Sequence, residues 1–173
     1  DITQIWDSFH FLPYNLKAEK KKASKFYLDK YRLICNPNSK LMEETVMLAK
    51  DKSLQAAGLA MHVLADTWAH RYFAGTPSLV INNTNYHFFE LIPVSDLQQE
   101  DAKGGSAVHF QERHVDFRHD PTEPDDVENG RYTNTMFQYR ENSVMNLGHG
   151  RAGHLPDYSF IRYRYLPAWA DYN

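Results

Sequence analysis

His62, Asp66 and His70 recur every fourth residue within AGLAMHVLADTWAHRYFAG, residues 57–75. Positions four apart on a helix are turned by roughly 40° about its axis, so the three side chains form one stripe. Between Lys52 and Arg71, Asp66 is the sole formally charged residue. A carboxylate in so apolar a stretch must be hydrogen-bonded, paired or bound to a cation, because burying it alone is costly. Two imidazoles and a carboxylate form a donor set for a divalent metal, zinc first, with manganese or iron as further choices. Side chains at this spacing can converge on one ion. The plainer alternative is a core network in which Asp66 accepts hydrogen bonds from the two histidines.

A second group lies in LGHGRAGHLPD, residues 147–157, where His149, His154 and Asp157 sit among Gly148, Gly150 and Gly153. Glycines give such a turn the freedom to approach a ligand or a neighbouring element. His149 or His154 is therefore expected to complete a metal shell begun by His62, Asp66 and His70. In a catalytic site, Asp66 would bridge metals or accept a proton from water, and His154 or Asp157 would act as acid or orienter. Arg71 and Arg151 flank the two groups and are candidate anion clamps, although a plain surface role is the commoner fate of each. His10, in DSFHFLP, is a further and weaker ligand candidate. His109, His114 and His119 recur every five residues, which suits neither a helix nor a strand.

The elements that position these groups can be sketched from capping and periodicity. LKAEKKKASKFYLDKY (16–31) consists of good helix formers and predicts an exposed amphipathic helix. Asn38 or Ser39 caps KLMEETVMLAK, and Lys52-Ser53 opens a helix expected over about 54–73, with Gly75 and Pro77 ending it. That helix is apolar on nearly all sides, which predicts burial. VINNTNYHFFELIPV (80–94) is richer in β-formers and reads as extended chain or packed loop, residues 101–130 read mostly as a long surface loop, and 131–150 have room for one more helix. The aromatic tail has no clear period.

The chain has 173 residues, 42% hydrophobic, with a formal net charge of -3, which fits one domain with a real core. The near-neutral balance argues against a nucleic-acid binder of the broad basic-surface kind. The lone Cys35 excludes a disulfide framework and a cysteine metal cage. No apolar run is long enough for a membrane helix, because Asp66 interrupts the best candidate. No signal peptide is visible, and a cytoplasmic location is expected. Phosphate-cradling glycine loops and serine nucleophile elbows are absent.

HVLADTWAHRYFAG (62–75), the INN that follows it, and GHGRAGHLPD (148–157) resemble motifs of an uncharacterised bacterial family of mainly helical proteins, classed only as a domain of unknown function. Members of that family look longer at both ends, which implies that this chain is a piece of a longer helical protein. More distantly, His62 and Asp66 resemble the H-x3-D unit that zinc-dependent phospholipase C and P1-type nucleases carry on a helix. The spacing from Asp66 to His70 departs from that pattern, no H-x3-E follows, and the family's amino-terminal Trp ligand has no counterpart at Asp1. The resemblance therefore implies a one- or two-metal site rather than three zinc ions. A looser likeness extends to helical HD-type phosphohydrolases.

Two functions follow as expectations. The first is a metal-dependent hydrolase, acting on phosphoesters through water activated by the metal. The second is a non-enzymatic helical module whose His/Asp stripe is a structural metal site or a core network. The fold expected for both is mainly α: a single-domain helical bundle around a buried central helix at about 54–73, with long irregular loops and room for a short β-hairpin.

Overall fold

The computed structural model describes residues 2–14, 30–84, 88–94, 109–136, 138–167 and 169. Within them are three α-helices, α1 (Ile2–Phe9), α2 (Lys40–Ala49) and α3 (Leu54–Ala69). Most of the helix expected over residues 16–31 lies outside the described residues. Ser39 caps α2 by accepting from the Met42 N–H at 3.0 Å, and Ser53 caps α3 by accepting from Ala56 N–H at 3.2 Å. Each hydroxyl satisfies an amide that the first helical turn leaves without a partner.

Five short strands follow: β1 (Phe88–Pro93), β2 (Phe110–His114), β3 (Asp116–Arg118), β4 (Arg131–Thr133) and β5 (Tyr163–Tyr165). β1 is the centre of an antiparallel sheet of order β2-β1-β5, with Phe89 opposite His114 and Phe88 opposite Tyr165. β3 and β4 pair in parallel, Phe117 beside Tyr132. With 35% helix and 19% strand among the described residues, the fold is not the mainly-α bundle its sequence suggested. Most of the strands lie in stretches read as loops or left undecided. β4, however, opens the stretch 131–150 that was given room for a helix, where the described residues hold only short 3-10 turns at Val144–Asn146 and Gly148–Ala152. The strand pairing is non-local, and β2 (FQERH) carries too many charges to show an apolar alternation.

The buried central helix is corrected too. Only Ala60, Val63 and Thr67 of α3 are buried, and Val63 packs with Leu12 and Met42. Leu54, Met61 and Trp68 face outward, at 88%, 69% and 56% exposure. The main core is instead aromatic and sits between the sheet and the segment after α3. Tyr165, Phe73 and Phe88 form a three-ring cluster, with the Tyr165 centroid 5.2 Å from that of Phe73 and 4.2 Å from that of Phe88. Beneath the sheet, the buried Glu90 carboxylate takes hydrogen bonds from Arg113 and Tyr132, which meets the cost of placing a charge there.

α3 ends at Ala69 rather than Phe73, and Gly75 and Pro77 play no part in stopping it. Tyr72 takes a left-handed conformation (φ 75°), and the chain then runs extended beside Cys35. Cys35 N–H donates to the Phe73 carbonyl at 2.7 Å, and Tyr72 N–H donates to the Cys35 carbonyl at 2.8 Å. A second bridge pairs Pro13 with Cys35. Residues 10–14 are thereby laid beside the end of α3, where His70 sits.

Candidate metal centre

Three segments meet at the end of α3: the turn after α1 with His10, the helix itself, and the turn carrying His149. Asn82, wholly buried, joins two of them. Its side-chain amide donates to the carbonyls of Ala74, Thr76 and Asn146 at 3.1, 3.1 and 2.7 Å, and its carbonyl oxygen accepts from Ala74 N–H at 2.8 Å. Gly148 N–H donates to the Ala74 carbonyl at 3.0 Å. A side chain at position 148 is excluded, since a Cβ there would lie 2.3 Å from Phe11 Cζ and the residue has φ 55°. Phe11 in turn stacks on His70, centroids 4.3 Å apart.

The expected ligands divide into two groups. In the first, His10, His62 and Asp66 offer ligand atoms within 4.8 Å of one another. Asp66 Oδ2 lies 2.9 Å from His10 Nδ1 and 3.4 Å from His62 Nε2. In the second, His70, His149 and Asp157 converge equally closely. Asp157 Oδ1 is 3.6 Å from His149 Nε2 and 4.0 Å from His70 Nε2. His70 also touches the first group, its Nδ1 being 3.9 Å from Asp66 Oδ2. The stripe of three therefore does not act as one set, because His70 turns its outer nitrogen toward Asp157.

In the second group the two imidazoles are held alike. His70 Nδ1 donates to the His10 carbonyl at 2.5 Å, and His149 Nδ1 donates to the Gly153 carbonyl at 2.9 Å. With both Nδ1 atoms protonated, each Nε2 presents a lone pair toward the same carboxylate oxygen. A backbone carbonyl behind the ring is the usual way to fix the tautomer of a ligating histidine. Burial, and then the neighbouring His149, hold the His70 pKa below its ordinary value and favour the neutral ring. Two lone pairs and a carboxylate facing one another repel unless a proton or cation joins them. The donor set, two imidazole nitrogens and a carboxylate, suits zinc, and three protein ligands leave a position open. Asp157 is exposed and His149 borders a cleft, so that position is reachable.

His154, expected among the ligands, stands apart: it is 77% exposed, with Nδ1 3.8 Å from Asp125 Oδ2, and it lines the same cleft as His149. His10 is drawn in as a full member of the first group, although 56 residues separate it from Asp66. Arg151 is buried and reaches Asn146 Oδ1 at 3.4 Å, while the exposed Arg71 lies over the Tyr72 ring. Neither is arranged as an anion clamp. Burial, reinforced by Asp66 and Asp7, pushes the Cys35 thiol up to about 12, so it is inert as a nucleophile. Asn82 opens an Asn-Asn-Thr sequon, but its buried amide is fully engaged in holding the site together.

A family model described as a family of unknown function (DUF6765) matches residues 1–173. The chain belongs to this family. No curated protein and no solved structure matches it significantly. Membership of DUF6765 brings no activity with it, so function has to be read from the side chains. Among the described residues, no helix is long and apolar enough to cross a membrane.

Proposed function

We propose that the chain is a metal-dependent hydrolase of phosphoesters, with His70, His149 and Asp157 as the primary metal ligands. The observation that supports this reading most is the shared arrangement of His70 and His149, each with Nδ1 on a backbone carbonyl and Nε2 toward Asp157 Oδ1. A zinc-type ion there supplies Lewis acidity and lowers the pKa of water toward neutrality. Hydrolysis adds the oxygen of water to phosphorus and breaks the P–O bond to the alcohol. His154, on the cleft wall, would give a proton to the departing alcohol and be reprotonated by the one that water loses, whereas Asp66, at the other edge of the His70 ring, belongs with His10 and His62.

His10, His62 and Asp66 enter the same proposal as a second cation position. A second reading is favoured there by the 2.9 Å contact of His10 with Asp66: the group is a hydrogen-bonded network that steadies His70. Metal stoichiometry separates the two. Elemental analysis of protein purified without chelator or histidine tag is expected to find about two equivalents of transition metal, with one lost in His149→Ala and one in Asp66→Asn. About one equivalent, unaffected by Asp66→Asn, makes the first group a network. Protein that folds but cannot be loaded with zinc, manganese or iron overturns the hydrolase reading.

A further inference from the structure

A cleft of about 820 Å³ opens beside the glycine turn, between the loop at 119–125 and the segment after β4. His149 is common to the cleft and the ligand group, whose other members, His70 and Asp157, lie outside the lining. The lining is mostly apolar, with Met136, Met145, Pro121, Pro124 and Tyr158 contributing. Among the described lining residues there is no lysine or arginine, and the basic side chains are the imidazoles of His119, His149 and His154. Of its carboxylates, Glu123 is paired with Arg118 at 2.8 Å, whereas Asp125 accepts from the neutral Thr133 N–H and Tyr158 hydroxyl, both at 2.7 Å, with His154 Nδ1 3.8 Å away.

These features bear on charge. Sites that hold a dianionic phosphate use arginine or lysine to meet the charge the metal does not. An apolar wall with a carboxylate opposes a polyanion instead. We infer, resting on the hydrolase reading above, that the cleft takes the organic group of a monoanionic phosphodiester with a compact apolar or aryl substituent. Dianionic phosphomonoesters and polyphosphates are turned away. Met136 and Met145, both half out in solvent, are adaptable side chains against which such a group packs.

The test is calorimetric titration of zinc-loaded protein at mildly alkaline pH, with zinc content measured beforehand. The probes are diphenylphosphinate, a monoanionic diester analogue whose two P–C bonds leave no ester bond to hydrolyse, phenylphosphonate, its dianionic counterpart, and inorganic phosphate. The monoanion is expected to bind at least about tenfold tighter than either dianion. Met136→Glu and Met145→Glu, at exposed positions that the fold tolerates, should each weaken it by about tenfold with zinc content unchanged. Equal or tighter binding of a dianion, or binding that neither substitution alters, overturns the inference and leaves the hydrolase reading standing. Protein that takes up no zinc removes both.

Discussion

His70 is an imidazole whose charged form the fold disfavours, because burial and His149 hold its pKa low. The unfolded chain takes up a proton near the ordinary histidine value of about 6.5, while the folded protein does so only at lower pH. Metal-free protein should therefore lose stability as pH falls through that value. His70→Gln is expected to flatten the slope of melting temperature against pH in chelator-treated protein; an unchanged slope assigns it to other groups. Asp7 has the opposite sign. Burial raises its pKa to about 6 against the easing effect of the Gly75 N–H, and its Oδ1 has no hydrogen-bond partner. Folded protein then holds a proton that the unfolded chain has lost, and stability falls as pH rises from the ordinary carboxyl range through about 6. Asp7→Asn should gain on the parent by about 1 kcal/mol between pH 5 and 7.5, after discounting for partial exposure. Thermal denaturation of both at the two pH values measures this, and a difference independent of pH refutes it. Neither effect was legible in the sequence, where Asp7 is one acidic residue in an aromatic opening.

At the scale of elements, capping chemistry was the readable part. Ser39 and Ser53 are local signals, and both act as the sequence implied. The end of α3 was not readable, because a bridge to Cys35, far upstream, decides it. His10 joined Asp66 for the same reason: the contact depends on how residues 10–14 lie beside the helix end, which no spacing encodes. Asn82 was visible only as part of the INN motif, yet it ties the helix exit to the turn bearing His149. Asn82→Ala removes the side-chain partner of the Thr76 carbonyl and of the Ala74 N–H, while the Ala74 and Asn146 carbonyls keep the N–H groups of Gly148 and Ser78; the loss should cost about 1–3 kcal/mol in denaturant unfolding and lower zinc retention. Normal zinc content in a folded Asn82→Ala would mean that the turn is held by other contacts. Gly58 gives a contrasting case. It lies within α3, and a methyl group added there would meet nothing within 4 Å, so Gly58→Ala should stabilise by about 0.5–1 kcal/mol without touching the site.

For the molecule as a whole, the sequence misled on class. The helices over 40–49 and 54–69 were located, but α1 was not, and the stretch 131–150 given room for a helix holds β4 and short 3-10 turns. The sheet, assembled from Phe88–Pro93, Phe110–His114 and Tyr163–Tyr165, draws on segments up to about seventy residues apart, each too short to announce itself. The apolar character of α3 was equally ambiguous, since composition does not say which face the rest of the chain will cover. Leu54, Met61 and Trp68, seven residues apart, form an outward apolar stripe of a kind that water-facing surfaces seldom carry. The fluorescent probe ANS should accordingly bind native protein. Leu54→Lys with Met61→Lys should reduce that signal while changing stability by no more than about 0.5 kcal/mol; a larger loss would show that the stripe is covered within the fold.

His70 joins the two ligand groups through opposite edges of one ring, Nδ1 held on the carbonyl of His10 with Asp66 3.9 Å away, and Nε2 toward Asp157. The groups are then not independent of one another. A cation gained at one changes the field and the ring position at the other, and linkage makes the change reciprocal. Occupancy curves for the two groups should shift one another by the same free energy, whichever is filled first.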